Sequence, residues 1–156
     1  MYRHIVAGTD FSDLGDTALI RAAEMAIDMQ AKLTLVHVVP EEDAPNSMYS
    51  SHEVRHHLER LEEAHKRLTG ELATKKAKSG HIEVGFEIRY GTPADQLLAV
   101  AEEKHADLIV IASNGQRGFT RWLLGSTADR VARGSTRDVL VVNPAPIEGS
   151  RKSIVA

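Results

Sequence analysis

The residues Leu108-Ile109-Val110-Ile111-Ala112-Ser113-Asn114-Gly115-Gln116-Arg117-Gly118, with Gly125-Ser126-Thr127 following ten residues after Gly115, decide how this chain is read. Leu108–Ile111 is a short continuous apolar run, as expected of a strand buried on both faces. A loop of small, polar and basic residues follows. Gly125-Ser126-Thr127 then opens a helix, with Ser126 as hydroxyl cap and Asp129 three residues on to complete a capping-box-like pair. A helix N-terminus leaves backbone N–H groups without intrahelical partners, and small residues let a ligand come close to them. A strand, loop and helix of this kind therefore make a phosphate site. Ser126 as a cap alone, and Gly115 and Gly118 as turn residues alone, explain the same residues without a ligand. Their joint placement, with Arg117 and Arg121 available for phosphate charge, favours the site.

Outward from this stretch, strand and helix patterns alternate. His4–Gly8 reads as a short buried strand. Ala18, Ala22, Met25, Ala26 and Met29 recur at helical spacing, which predicts a helix from Asp13 to Gln30. Leu33–Val39 is rich in β-branched residues and closes at Pro40, a second strand. Glu41 to Ser51 is polar, has no period and reads as a loop. A long helix follows, carrying Val54, Leu58, Leu61, His65, Leu68 and Leu72 on one face and ending at Ser79-Gly80. In Glu83–Tyr90 the apolar Val84, Phe86, Ile88 and Tyr90 alternate with polar residues and glycine, the pattern of a half-exposed third strand. Thr92-Pro93-Ala94-Asp95 is a helix start, with Thr92 as cap, Pro93 at the first helical position and an acid in the first turn. Leu97, Leu98 and Ala101 form the buried stripe. After the fourth strand and the glycine loop, a helix runs to Arg133 and is closed by Gly134, and Val139–Val142 is a fifth strand. Residues 1–145 read as a single domain, and 146–156 as a flexible C-terminal tail opened by Pro144 and Pro146.

Strands alternating with helices predict an α/β fold: a five-stranded parallel sheet with right-handed crossovers and helices on both faces. In such sheets ligands bind beyond the carboxyl ends of the strands, where the strand order reverses. With strand one central between strands two and four, the crevice is bounded by Gly8-Thr9-Asp10 on one side and by Ile111, Ala112 and the following residues to Gly118 on the other. Gly8 and Thr9 let a ligand approach the strand end, and Asp10 is placed to accept hydrogen bonds from ribose hydroxyls. Asp10 beside Ser12 is also an ordinary helix start. The half-polar third strand suits one edge of the sheet. The fifth, apolar on both faces, falls at the other edge, where an uncovered strand invites pairing. A homodimer through Val139, Leu140, Val141 and Val142 is expected.

Composition narrows the classes. The chain has 156 residues, enough for one domain with a real core, and a net charge of -3 that argues against nucleic acid as the main partner. Zero cysteines remove disulfides, thiolate catalysis and cysteine-ligated zinc, and fit a reducing compartment. Met1 to Val6 leads straight into a strand without a signal-peptide apolar core, and no stretch of about 18 apolar residues occurs, so a cytoplasmic protein is expected and a membrane partner is not. The glycine loop is not a Walker loop, since six residues separate Gly118 from Gly125 and no Lys-Ser/Thr pair follows. Gly8-Thr9-Asp10 lacks the glycines of a dinucleotide fingerprint. His52 and His56, like Glu53 and His57, are four residues apart, but on a charged helix start with no third ligand at recognisable spacing, so no protein-held metal is expected. His65 reads as a boundary residue of its helix and His37 as structural. Glu102, Glu103 and Asp107 form no evident acid/base pair, and no nucleophile elbow is present.

Tyr2 to Val142 resembles the universal stress protein family. The resemblance is carried by Tyr2-Arg3-His4-Ile5-Val6 with Thr9-Asp10-Phe11-Ser12, by Leu35-Val36-His37-Val38, by Gly91-Thr92-Pro93 and by the loop. Nucleotide-binding members of the family carry Gly, two residues, Gly, nine residues, then Gly-Ser or Gly-Thr. Here Gly115, nine residues and Gly125-Ser126 match, and Ala112 stands in the first glycine position. The resemblance implies a Rossmann-like sheet of the adenine nucleotide alpha-hydrolase type, strand order 3-2-1-4-5, in a homodimer of the stress response. It further implies ATP at the switch point, with a magnesium ion: Asp10 on the ribose, the Val38 backbone on adenine, and Ser113, Gly115, Gly125, Ser126 and Thr127 on the triphosphate. Alanine at 112 is unfavourable if that backbone needs a positive φ, and serves if only small size is needed. Some members of the family bind no nucleotide, so a nucleotide-independent interaction or chaperone-like dimer is the alternative. An adenylate-forming enzyme or ATPase is a third reading, and it would require a base that the sequence does not supply. Any hydrolysis should be slow.

Overall fold

In the computed structural model the described residues are 1–39, 55–56, 59–60, 62–64, 66–67, 82–114 and 124–144. They form β1 (His4–Thr9), α1 (Asp13–Met29), β2 (Lys32–Val39), β3 (Val84–Tyr90), α2 (Pro93–Glu103), β4 (Leu108–Ala112), α3 (Ser126–Gly134) and β5 (Asp138–Val142). The described residues between 55 and 67 are helical as well. The expected loop at Glu41 to Ser51, the stripe of Val54, Leu58, Leu61, His65, Leu68 and Leu72, the stop at Ser79-Gly80 and the tail from 146 lie outside the described residues.

All strand pairs are parallel, and the sheet order is β3-β2-β1-β4-β5, as expected. The period of two sorts the strand side chains onto two faces. Ile5, Ala7, Leu33, Leu35, Leu108 and Val110 pack under α1, with Ala64 of the segment at 55–67. Val6, Val36, Val38, Ile109 and Ile111 pack under α2 and α3. Two helical layers thus sandwich the sheet. The α1 stripe of Ala18, Ala22, Ala23 and Ala26 is completely buried. With so little side chain, that helix lies close against β1 and β4. It stops at Met29, one residue before the sequence expectation, because Gln30 takes a left-handed φ of 53° and its N–H bonds back to the Ala26 and Ile27 carbonyls.

Gly8 has a packing reason. A Cβ there would lie 3.0 Å from both Leu97 methyl carbons, so α2 settles its leucine into the space that this glycine leaves. Gly134 is the last residue of α3 rather than a left-handed stop: the C-cap is Ser135, in an extended conformation. The helix starts depart from expectation in one common respect. Thr92 does precede Pro93 at the start of α2, yet its side chain makes no capping bond. At α3 the N-cap is Gly125, and Ser126 is already helical, so Ser126 is not the cap.

The sheet edges are as different as the sequence implies. On β3, Phe86 is 37% exposed. Glu87 pairs there with Arg89 and Lys104, and Arg89 also pairs with Glu103, which blunts that edge with charge. On β5, Val139 and Val141 meet the α2/α3 core while Leu140 and Val142 meet the α1 core, leaving an apolar strand at the other edge.

Candidate functional site

The two ladders of the central strand end at different heights. Pairing of β1 with β4 stops at Ala7↔Val110, whereas pairing with β2 continues to Thr9↔His37. Past Ala7 and Val110 the central strands part, and Gly8, Thr9, Ile111 and Ala112 stand on the two sides of that gap. This is the position where the order reverses.

On the β1 side the chain makes a tight turn. The Thr9 hydroxyl accepts the Phe11 N–H (3.0 Å), and Phe11 sits at a left-handed φ of 61°. Asp10 Oδ1 accepts both the N–H and the hydroxyl of Ser12, and Ser12 in turn caps α1 by accepting the Gly15 N–H (3.1 Å). The helix-start role that the sequence allows for Asp10 is therefore real, and it also fixes the carboxylate at the strand tip. Gly15 is required beneath it, since a Cβ would come 2.7 Å from Asp10 Oδ1.

Val38 lies one step past the β1–β2 ladder. Lys32 N–H donates to the Arg3 carbonyl just before β1, and the alternation of a strand then turns the N–H and C=O of Val38 to the β1 side too. The group that would follow in the ladder is the Phe11 N–H, which bends back to Thr9 instead. The Val38 carbonyl therefore faces the space beyond the carboxyl end of β1, where the turn at Phe11 leaves the ladder.

On the β4 side, Ser113 and Gly125 are brought together across an interval of the chain. The Gly125 N–H donates to the Ser113 carbonyl (2.7 Å), and the Ser113 N–H donates to the Val142 carbonyl (2.8 Å). A Cβ on Gly125 would lie 3.1 Å from that Ser113 oxygen and 3.4 Å from Asn114 Cα, so glycine lets the start of α3 nest against the end of β4 without pushing that backbone aside. Ser113 is 4% exposed, and its hydroxyl has no hydrogen-bond partner among the described residues. A buried orphan hydroxyl is costly, and native proteins keep few of them. The start of α3 beside it carries no side-chain cap, so no described side chain takes up its first N–H groups, and Ser126 and Thr127 stand in its first turn. The donor set and the nesting fit a phosphate chain. Ala112 ends β4 opposite Val142 without a positive φ, so alanine carries no backbone strain there.

Gly115, Arg117 and Gly118, like Arg121 and Trp122, lie outside the described residues. So do His52, His57 and His65, and no group of three metal-ligating side chains occurs among the described ones. No described helix is long and apolar enough to cross a membrane. His37 is structural, as expected: its ring is 8% exposed and its Nδ1 donates to the Thr9 carbonyl (2.9 Å). The sequence reading quotes Phe11 within a motif but does not anticipate its left-handed backbone. A bulky residue in the left-handed region has no local signature, because tertiary contacts impose it.

A five-stranded parallel sheet in the order β3-β2-β1-β4-β5, covered by helices on both faces, defines a Rossmann-like α/β protein. The match of residues 1–143 to the family model described as the universal stress protein family then makes the assignment: the chain belongs to that family. It is 34% identical over 146 residues to universal stress protein MJ0531 of Methanocaldococcus jannaschii, covering 91% of this chain and 82% of that protein. It is 31% identical over 147 residues to universal stress protein YxiE of Bacillus subtilis, covering 91% and 99%. Among solved structures, a universal stress protein in complex with cAMP superposes with a TM-score of 0.73 at 27% identity, over 92% of this chain and 99% of that one.

Proposed function

We propose that this chain is a stress-response regulatory protein that binds an adenine nucleotide, ATP with magnesium, between β1 and β4 and works as a homodimer through β5. The observation that carries the reading is the buried Ser113 hydroxyl without a partner, set against Gly125 and the uncapped start of α3. The cAMP complex of a related protein supports an adenine ligand. In this reading Asp10 holds the ribose, the Val38 carbonyl takes the adenine amine, and Ser113, Gly125, Ser126 and Thr127 donate to the phosphates. Gly115, Arg117 and Gly118 are assigned to that cradle from the sequence alone, while Gly8, Thr9, Ile111 and Ala112 form its floor. Bound magnesium would offset phosphate charge.

Asp10 accepts from Ser12, and the sequence offers no evident base to activate water, so turnover is slow at most. The protein then signals by occupancy rather than by chemistry. Titration with ATP and magnesium, followed by calorimetry and by Trp122 fluorescence, tests this. Trp122 is the only tryptophan and stands three residues before Gly125 in the sequence. A saturable heat that is lost in Gly125→Val supports the cradle. The absence of heat in the unsubstituted protein would favour a nucleotide-independent dimer, the reading that Ala112 at the first glycine position suggests.

A further inference from the structure

We propose that His37 is a positioning residue for the adenosine end of the crevice, acting through the Thr9–Phe11 turn without touching the ligand. The inference rests on the nucleotide reading above. Thr9 is held at two points. Its carbonyl accepts from His37 Nδ1 at 2.9 Å, and its hydroxyl accepts the Phe11 N–H at 3.0 Å. A carbonyl only accepts, so the His37 proton must sit on Nδ1. The same imidazole packs on the Phe11 ring with centroids 4.3 Å apart, and the Arg60 guanidinium carbon lies 4.6 Å from the Phe11 centroid. Phe11 is thereby clasped at a φ of 61°, a conformation that a bulky side chain does not choose by itself.

That strained residue has a consequence for the site. An extended Phe11 would carry its N–H onward along the β1–β2 ladder to the Val38 carbonyl. The left-handed turn diverts it to Thr9, so the Phe11 N–H does not take up the Val38 carbonyl beyond the end of β1. It also swings Asp10 to the strand tip, where Ser12 fixes it. Without the His37 clasp the turn relaxes toward the extended form. The adenine acceptor is then covered and Asp10 is displaced, while the phosphate end at Ser113 and Gly125 stays as it was.

The test compares His37→Leu with His37→Asn in the full chain, using adenosine, ATP and inorganic tripolyphosphate as probes in calorimetry. His37→Leu fills the space but cannot donate, and it should weaken adenosine and ATP about tenfold, the size of one lost positioning hydrogen bond. Tripolyphosphate affinity should not change. His37→Asn restores an N–H donor and should recover most of the loss. Nitrogen-15 spectra of the ligand-free protein should show the His37 proton on Nδ1. Equal weakening of all three probes would reduce His37 to a stability residue, and unchanged adenosine affinity in His37→Leu would overturn the proposal outright. Failure of the unsubstituted protein to bind adenosine or ATP overturns the nucleotide reading and this inference with it. The nitrogen spectrum still reports separately on the His37–Thr9 bond.

Discussion

Ser113 shows how a single residue can be placed against its own stability. Its hydroxyl is buried and has no protein partner among the described residues, which costs about 1–3 kcal/mol. Ser113→Ala should therefore raise the unfolding free energy by about 1 kcal/mol in urea titrations, while weakening ATP binding severalfold in calorimetry. Loss of both stability and binding would instead mean that the hydroxyl already has a structural partner. Gly125 was legible from its motif, and its reason is steric: a Cβ would crowd the Ser113 carbonyl at 3.1 Å and force the backbone to give. Gly8 was legible as a small residue, but the space it provides is taken up by Leu97. Sequence marks where a side chain must be absent. It does not say which neighbour needs the room.

At the scale of elements, strands and helices were legible because periodicity is local and strong, and most boundaries fell within a residue of expectation. Caps were less so. Whether Gly125 or Ser126 caps α3 depends on where one residue leaves the extended region, and that is set by the Gly125–Ser113 hydrogen bond. The start of β1 has an equally non-local anchor. The Asp107 carboxylate, just before β4, accepts the N–H groups of Arg3 (2.7 Å) and His4 (3.0 Å) and so ties two strand starts together. The hydrogen bond from the Arg3 N–H, then that from His4, hold its carboxyl below the usual aspartate range against some burial. A folded-state pKa below the unfolded one, about 3.9, means that the ionised anchor stabilises the fold above that value. The contribution fades as pH falls through the lowered folded pKa. Asp107→Ala should cost on the order of 1 kcal/mol at neutral pH, discounted for its solvent exposure, and flatten the acid limb of the stability curve measured by thermal melts. An unchanged acid limb would show that this anchor carries no pH-linked stability.

For the whole molecule, strand order decides what the sequence alone could only suggest. The two edges of the sheet carry opposite chemistry: charge along β3, apolar side chains along β5. The Val142 carbonyl accepts the Ser113 N–H on the β4 side, so alternation turns the backbone groups of Val139 and Val141 outward. Val141→Pro removes an outward N–H and spares the ladder to β4. If the proposed dimer forms through β5, light scattering should find a dimer for the unsubstituted chain and a monomer for this variant, with circular dichroism unchanged. A dimer that survives this change would place the interface elsewhere. The sequence by itself determined the alternation of strands and helices, the parallel sheet, the apolar faces and the glycine positions, because each follows from spacing along the chain. Only the tertiary structure decided that Phe11 sits left-handed against the His37 ring and the Arg60 guanidinium, that Gly8 yields to Leu97, and that Ser113 is buried beside Gly125. Those outcomes depend on which groups meet across the fold, and residues distant in the chain exert their sterics and hydrogen bonds only once the sheet has brought them into contact.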